Sequence, residues 1–173
     1  VKQLVAYGRE QEKLHDKKVR FTLTTSGVLL NKDIQEFANK EMGNVVLGVD
    51  GRKEVHDFMR PFRGGQGSYD YIIPKFKEMA ESRNQTNYYV RGTFTHYNTD
   101  FAADVLNLAD EGFKQISVEP VVAPETEDYA IRASDLPKIM EDYDRLAKEM
   151  LKREKDGRGF NFFHFMVDLY GGP

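Results

Sequence analysis

Tyr88-Tyr89-Val90-Arg91-Gly92-Thr93-Phe94-Thr95 alternates residue by residue, with Val90, Gly92 and Phe94 on one side and Tyr89, Arg91, Thr93 and Thr95 on the other. Period two is the mark of a strand, and it sends successive side chains to opposite faces of a sheet. One face here is apolar; the other carries a guanidinium and hydroxyls. Val19-Arg20-Phe21-Thr22-Leu23-Thr24-Thr25 divides in the same way, and so does Lys114 to Glu119, where Ile116 and Val118 oppose Gln115, Ser117 and Glu119. The stretch Val45 to Asp50 sets Val45, Leu47 and Val49 against Val46, Gly48 and Asp50.

Helical patterns separate these strands. Val1 to about His15 reads as the end of a helix, through Val1, Leu4, Val5 and Leu14. Asn31 suits the cap of a helix that buries Ile34, Phe37, Ala38 and Met42 and stops at Gly43. Ile72, Ile73, Phe76, Met79 and Ala80 form another, with Pro74 expected in its first turn, because a Pro inside a helix costs about 3 kcal/mol. Asn98-Thr99-Asp100 caps a helix carrying Phe101, Ala102, Val105 and Leu108 and ended by Gly112. Ser134 is expected to cap the clearest helix, with Leu136, Ile139, Met140, Tyr143, Leu146 and Leu151 on one face. Gly51 to Ser68 is polar and long for a strand-to-helix connection, and its Gly64, Gly65 and Gly67 read as a hinge.

Strand and helix alternating in this way build right-handed crossovers and a parallel sheet, so the class is α/β. A doubly wound sheet buries both faces and reads as continuous apolar runs, and a closed barrel fills its interior with branched apolar side chains. The polar faces fit neither. They predict an open, partial TIM-like barrel of four parallel strands alternating with helices, with Arg91, Thr93, Thr95, Gln115, Ser117 and Glu119 in one concavity. A slip of one residue in register would exchange the faces.

Composition bounds the partners. The 173 residues are 40 % apolar and 31 % charged, enough apolar material for a core, and the net charge of −3 is spread with no basic block. Nucleic acid is therefore not expected as a partner. No apolar run approaches the roughly 20 residues of a membrane span, and neither a membrane partner nor a signal peptide is read, which leaves the cytoplasm as the expected compartment. With no cysteine in the chain, zinc-thiolate sites, disulfides and thiol nucleophiles are excluded from these residues. The start at Val1-Lys2-Gln3 and the end at Gly171-Gly172-Pro173, after the aromatic run Phe160 to Phe165, look like cuts in a longer protein.

The candidate site residues each have a competing structural role. Arg91, mid-strand on the polar face, needs an anionic partner: a ligand carboxylate, or a salt bridge to Glu119 or Asp50. Asp50 ends a strand where ligands collect in α/β folds, but Asp50-Gly51 is also a turn pair. His56, Asp57 and Arg60 lie in the long loop, where one His-Asp pair is a poor metal signature; no metal site is read, and pinning the loop competes with ligand contact. Phe160, Phe162, Phe163 and Phe165 read as packing on the open side of the barrel.

Taken in order, Thr24-Thr25-Ser26-Gly27-Val28-Leu29-Leu30, Gly48-Val49-Asp50-Gly51 with His56-Asp57 and Arg60, Gly65-Gln66-Gly67-Ser68-Tyr69, Val90-Arg91-Gly92-Thr93-Phe94-Thr95 and Val118-Glu119-Pro120-Val121 resemble the radical S-adenosylmethionine (SAM) enzymes with a SPASM-type auxiliary domain, and among them the maturases of six-cysteine SCIFF peptides. The resemblance spans the chain. It implies that the four strands correspond to the third to sixth of a six-stranded partial barrel. The CxxxCxxC loop for the catalytic 4Fe-4S cluster would then precede Val1, the auxiliary-cluster cysteines would follow Pro173, and residues 1–173 alone would be inactive and prone to associate through their first strand. The implied cofactor contacts are Thr24, Ser26, Gly48, Asp50, Arg91, Thr93, Glu119 and Val121, with Arg91 on the SAM carboxylate and Asp50 at the ribose. His56, Arg60 and His96 would face the substrate, a ribosomally made cysteine-rich precursor peptide that receives thioether links after hydrogen abstraction. No residue of the chain is implied as catalytic. Ser26 stands where the family often has Asn, and Gly48 where a Ser often reaches the ribose, so a hydroxyl is missing there. A self-contained α/β module for a nucleotide or sugar is the alternative, and a barrel hydrolase using Asp50 and Glu119 ranks below it.

Overall fold

The computed structural model describes residues 1–166, so Gly171-Gly172-Pro173 lie outside the described residues. Five parallel strands, β1 (Phe21–Thr25), β2 (Met42–Gly48), β3 (Tyr88–Phe94), β4 (Gln115–Pro120) and β5 (Asn161–Phe162), pair in the order in which the chain makes them. The helices are α1 (Lys2–His15), α2 (Lys32–Glu41), α3 (Lys53–Met59), α4 (Tyr69–Ser82), α5 (Phe101–Asp110) and α6 (Leu136–Lys155). Because the strand order never reverses, right-handed crossovers place their helices on one side of the sheet. The sheet is not closed: β1 and β5 are its edges. This is the open, partial-barrel α/β architecture that the polar faces predict.

Register confirms the two faces. Val90 lies opposite Leu47 and Ile116, and these residues, with Val45, Val49, Phe94 and Val118, are buried in one core with Phe76, Phe101 and Leu108 from the helices. On the other face Arg91 stands opposite Gly48 and Ser117, and Thr93 opposite Glu119. That face also has an apolar floor: Val46 is buried opposite Tyr89, whose ring centroid is 4.9 Å from that of Phe163. Thr95 lines a cleft with Thr93 but offers it no free hydroxyl. It lies past the end of β3 and is buried, its hydroxyl accepting the Tyr97 N–H and donating to Asn98 Oδ1 at 2.9 Å.

Several elements differ from the sequence expectation. A fifth strand exists because Phe162 pairs beside Ile116 and is 1 % exposed, so the aromatic segment joins the sheet as well as covering it. Asn31 does cap α2, accepting the Ile34 N–H at 2.9 Å, but Met42 is already extended and Gly43 lies inside β2. The supposed loop from Gly51 to Ser68 contains α3, too short at seven residues to show a helical apolar period. Pro74 sits in the second turn of α4. Its missing N–H deprives only the carbonyl of the exposed Asp70, which water can serve. Ser134 lies in a 3-10 turn, Ala133–Asp135, and does not cap α6. On α6 the core takes Ile139 and Leu146, while Leu136, Met140 and Leu151 are exposed; on α1 it takes Val5 and leaves Leu4 and Leu14 out. Among the described residues no helix is long and apolar enough to cross a membrane.

Candidate functional site

The C-terminal ends of β2, β3 and β4 converge on a cleft of about 290 Å³ lined by Asp50, Arg60, Met59, Thr93, Val121 and Tyr129 among others. Among its lining residues is Asp50, whose side chain is only 3 % exposed. Arg60 grips it with two parallel bonds, Nε to Oδ2 at 2.6 Å and Nη2 to Oδ1 at 2.9 Å, and the Thr93 N–H donates to Oδ1 at 3.1 Å. The pairing draws the Arg60 guanidinium pKa further above its usual range. Charge-assisted forks of this kind are short and geometrically specific.

Local structure aims Arg60. The α3 turn places His56 and Arg60 four residues apart on one face, over Asp50. His56 is 1 % exposed: its Nδ1 accepts the Asp50 N–H at 3.3 Å, so Nε2 carries the proton and donates to Ser68 Oγ at 3.0 Å. Ser68 in turn donates to the Arg60 carbonyl at 2.6 Å. Burial holds the His56 pKa below its ordinary value. His56 is thus enclosed in the loop scaffold and has no open edge toward a substrate. The glycine-rich stretch is likewise fixed: Gly65 N–H donates to the Phe62 carbonyl at 2.8 Å, and Asp57, which a Cβ on Gly67 would strike, accepts the Tyr69 N–H at the start of α4.

A second buried carboxylate secures the turn after β2. Asp104 of α5 is fully buried and accepts from the Arg52 N–H at 3.0 Å, from Arg52 Nε at 2.8 Å and from Asn98 Nδ2 at 3.0 Å. Gly51 has φ +142°, and any Cβ there would overlap Asp104, so this position requires glycine. Burial raises the Asp104 pKa, against the lowering effect of those donors.

The remaining site candidates lie on or near the open face. Arg91 pairs with Glu119 through Nη2 and Oε2 at 2.6 Å, with side chains 50 % and 38 % exposed, and Ser117 donates to Glu119 Oε1 at 3.1 Å. These donors lower the Glu119 pKa, Arg91 foremost. Of the two protein carboxylates weighed for Arg91, Glu119 and Asp50, it is Glu119 that Arg91 meets. Ser26 follows β1, its Cα 4.0 Å from where a Cβ on Gly48 would stand; Thr24 lies on the same face beside Val46. Val121 donates its N–H to the Phe94 carbonyl at 2.8 Å and lines the cleft. His96 is set apart: its Nδ1 bonds Asp135 Oδ2 at 2.8 Å and its N–H donates to the Tyr129 carbonyl, which ties the loop after β4 to the end of β3. Met59 and Tyr129 are lining residues that sequence reasoning missed. Nothing in the order of residues links them to Thr93, and only the folding of α3 and of the loop after β4 does so.

No protein-family model and no curated protein matches the chain. Solved structures do match its fold. Native anSMEcpe with bound AdoMet and Kp18Cys peptide superposes with a TM-score of 0.77 at 16 % identity, covering 95 % of this chain and 47 % of that one. Hexahistidine-tagged anSMEcpe with bound AdoMet gives 0.75, also at 16 % identity, over 91 % of this chain and 43 % of that one. The complex of native anSMEcpe with AdoMet and Cp18Cys peptide gives 0.74 at 16 % identity, over 94 % and 46 %. The chain spans about half the length of the structures it matches.

Proposed function

We propose that this chain is the central part of a radical SAM core in a peptide-modifying maturase, and that SAM (AdoMet) binds at the rim cleft with its amino-acid end toward Arg91. The observation that carries the reading is an unclosed parallel sheet with one polar face and a cleft at its strand C-terminal ends. The fold-level likeness to anSMEcpe with AdoMet and peptides bound supports it. The residues fit a SAM ligand: within the cleft Arg60 offers donors to a carboxylate, Met59 and Tyr129 an apolar wall to a purine and Thr93 a polar group, and Arg91 and Glu119 stand on the neighbouring open face, Glu119 opposite Thr93. SAM, when bound and reduced by one electron from a 4Fe-4S cluster, supplies the radical that takes a hydrogen atom from the peptide. This chain has no cysteine to ligate such a cluster, so its part is to bind, orient and exclude water.

The finer reading is a SCIFF-type maturase that forms thioether links in a ribosomal cysteine-rich peptide, with the cluster ligands supplied by chain outside residues 1–173. Two features agree with it: the edge position of β1, which could accept a further parallel strand, and the open face with its apolar floor of Val46, Tyr89 and Phe163.

The test is to prepare the intact protein anaerobically, reconstitute its cluster, record the cluster spectrum and titrate SAM by calorimetry. Saturable SAM binding is expected, and Arg91→Ala should weaken it about ten- to a hundred-fold with the spectrum unchanged. A preparation with an intact cluster and no SAM affinity would overturn the reading; one that binds free nucleotides or sugars without iron would favour a binding module.

A further inference from the structure

A second, larger cleft of about 720 Å³ lies at the opposite end of the sheet, beside the N-terminal ends of β1, β2 and β3. Arg9, Lys18, Arg20, Lys40 and Arg83 line it, with Glu41 as its one carboxylate. The net charge of the chain is −3, so the fold has gathered cations here that the sequence keeps apart. Lys18 and Arg20 precede β1, Lys40 belongs to the end of α2, and Arg83 follows α4.

Two of these cations already serve the fold. Arg9 bonds Glu12 Oε2 at 2.9 Å and Glu41 Oε2 at 3.1 Å, and its guanidinium lies 4.9 Å from the centroid of the Phe21 ring. Arg83 donates to the carbonyls of Ala38 at 3.3 Å, Met42 at 3.0 Å and Asn87 at 3.0 Å, so it satisfies the end of α2 through neutral acceptors and meets no carboxylate. Its pKa is lowered by burial. Lys18, Arg20 and Lys40 are different. All three are exposed, and among the described residues none makes a side-chain hydrogen bond or an ion pair. The nearby Glu12, which feels the Lys18 charge, is itself engaged by Arg9 and by the Val19 N–H at 2.6 Å. Arg20 is seated against β2: a Cβ on Gly43 would stand 2.8 Å from its Cγ and 2.9 Å from its Nε.

The surroundings decide which anion suits these cations. Helix C-termini attract cations, and α2 and α4 both end here, but those ends carry partial negative charge and offer no cradle of N–H groups to a bare phosphate. Nucleic acid needs open aromatic faces for its bases, and Phe21 is covered by Arg9 and by α1 at Gly8. An extended acidic peptide meets both conditions, since it carries carboxylates for the cations and backbone N–H donors for carbonyls, and the half-buried Val19 and Phe21 can receive its side-chain stems.

We infer that this cleft is a docking site for an Asp- and Glu-rich peptide segment, held by Lys18, Arg20 and Lys40 at the end of the sheet remote from the cofactor cleft. The inference does not depend on SAM binding.

The test follows the fluorescence polarisation of a labelled oligoglutamate peptide titrated with the intact protein at low and at physiological ionic strength. Saturable binding is expected, weaker at the higher salt because the cations are exposed. The variant Lys18→Gln/Arg20→Gln/Lys40→Gln should weaken it at least about tenfold. A control removes the same charge from exposed, unpaired lysines of α6, Lys138→Gln/Lys148→Gln/Lys155→Gln, and should change affinity less than about twofold. Circular dichroism checks folding; if the cleft variant does not fold, Arg20→Gln alone is read, with an expected loss of about threefold. A Kd above about 1 mM, or equal losses in the two triple variants, would overturn the inference. So would displacement of the peptide by inorganic phosphate, or tighter binding of an oligothymidylate, either of which would assign the cleft to another anion.

Discussion

Two arginine–carboxylate pairs stand at the same rim, one strand apart, and they are built differently. Arg60 and Asp50 meet through two bonds around a carboxylate that is 3 % exposed, with His56, Ser68 and the Thr93 N–H packed about it. Arg91 and Glu119 meet through one nitrogen, and both side chains stand well into solvent. A buried charge that loses its partner is costly, whereas an exposed pair contributes little. The first pair is therefore committed to the fold, and the second is held only weakly.

The contrast can be broken at its strong end first. Arg60→Met leaves Asp50 buried with only the Thr93 N–H and the His56 ring beside it, and should cost about 3 to 5 kcal/mol of stability. Urea denaturation of the intact protein, followed by circular dichroism, measures this; a loss below about 1 kcal/mol would place the two pairs in the same class.

Acid should then separate them by pH. His56 is buried neutral with its pKa lowered, so the unfolded chain binds its proton first as pH falls. The stability that His56 contributes is complete above about pH 6.5, the ordinary histidine value, and declines as pH falls from there toward its lowered folded value. Glu119, also lowered, loses its contribution only below the ordinary carboxylate range. Thermal melts between about pH 7.5 and 5 should show a fall that His56→Gln reduces and Glu119→Gln leaves in place, the remainder belonging to His164, whose pKa burial also lowers. The opposite pattern would move the acid-sensitive element to the exposed pair.

The smallest effect is expected from Arg91→Met in the absence of ligand, under about 1 kcal/mol and further reduced by salt. The same denaturation experiment at low and high ionic strength checks it, and a loss rivalling that of Arg60→Met would mean that Arg91 is part of the scaffold.

The two pairs also differ in how far the sequence exposed them. Arg91 and Glu119 lie in strands, and strict alternation is enough to set them on one face; only the adjacency of β3 and β4 was needed to join them. The Arg60 pair was hidden because the segment that carries it is polar, rich in glycine and long, and its seven-residue helix is too short to show an apolar period. What makes α3 a helix is its attachment to Asp50, Ser68 and Tyr69, contacts that propensity cannot foresee. The same holds for β5, two residues long, which exists because Phe162 finds a place beside Ile116.

By itself the sequence determined the parallel α/β class, the division of each strand into an apolar and a polar face, and the open sheet that follows, because side-chain alternation and helical period are local consequences of backbone geometry. Tertiary structure alone decided which partner each charge takes: Asp50 for Arg60, Glu119 for Arg91, Ser68 for His56 and Asp104 for Arg52. Pairing depends on distance and burial between residues 10 to 52 positions apart, and neither is written in the order of the chain.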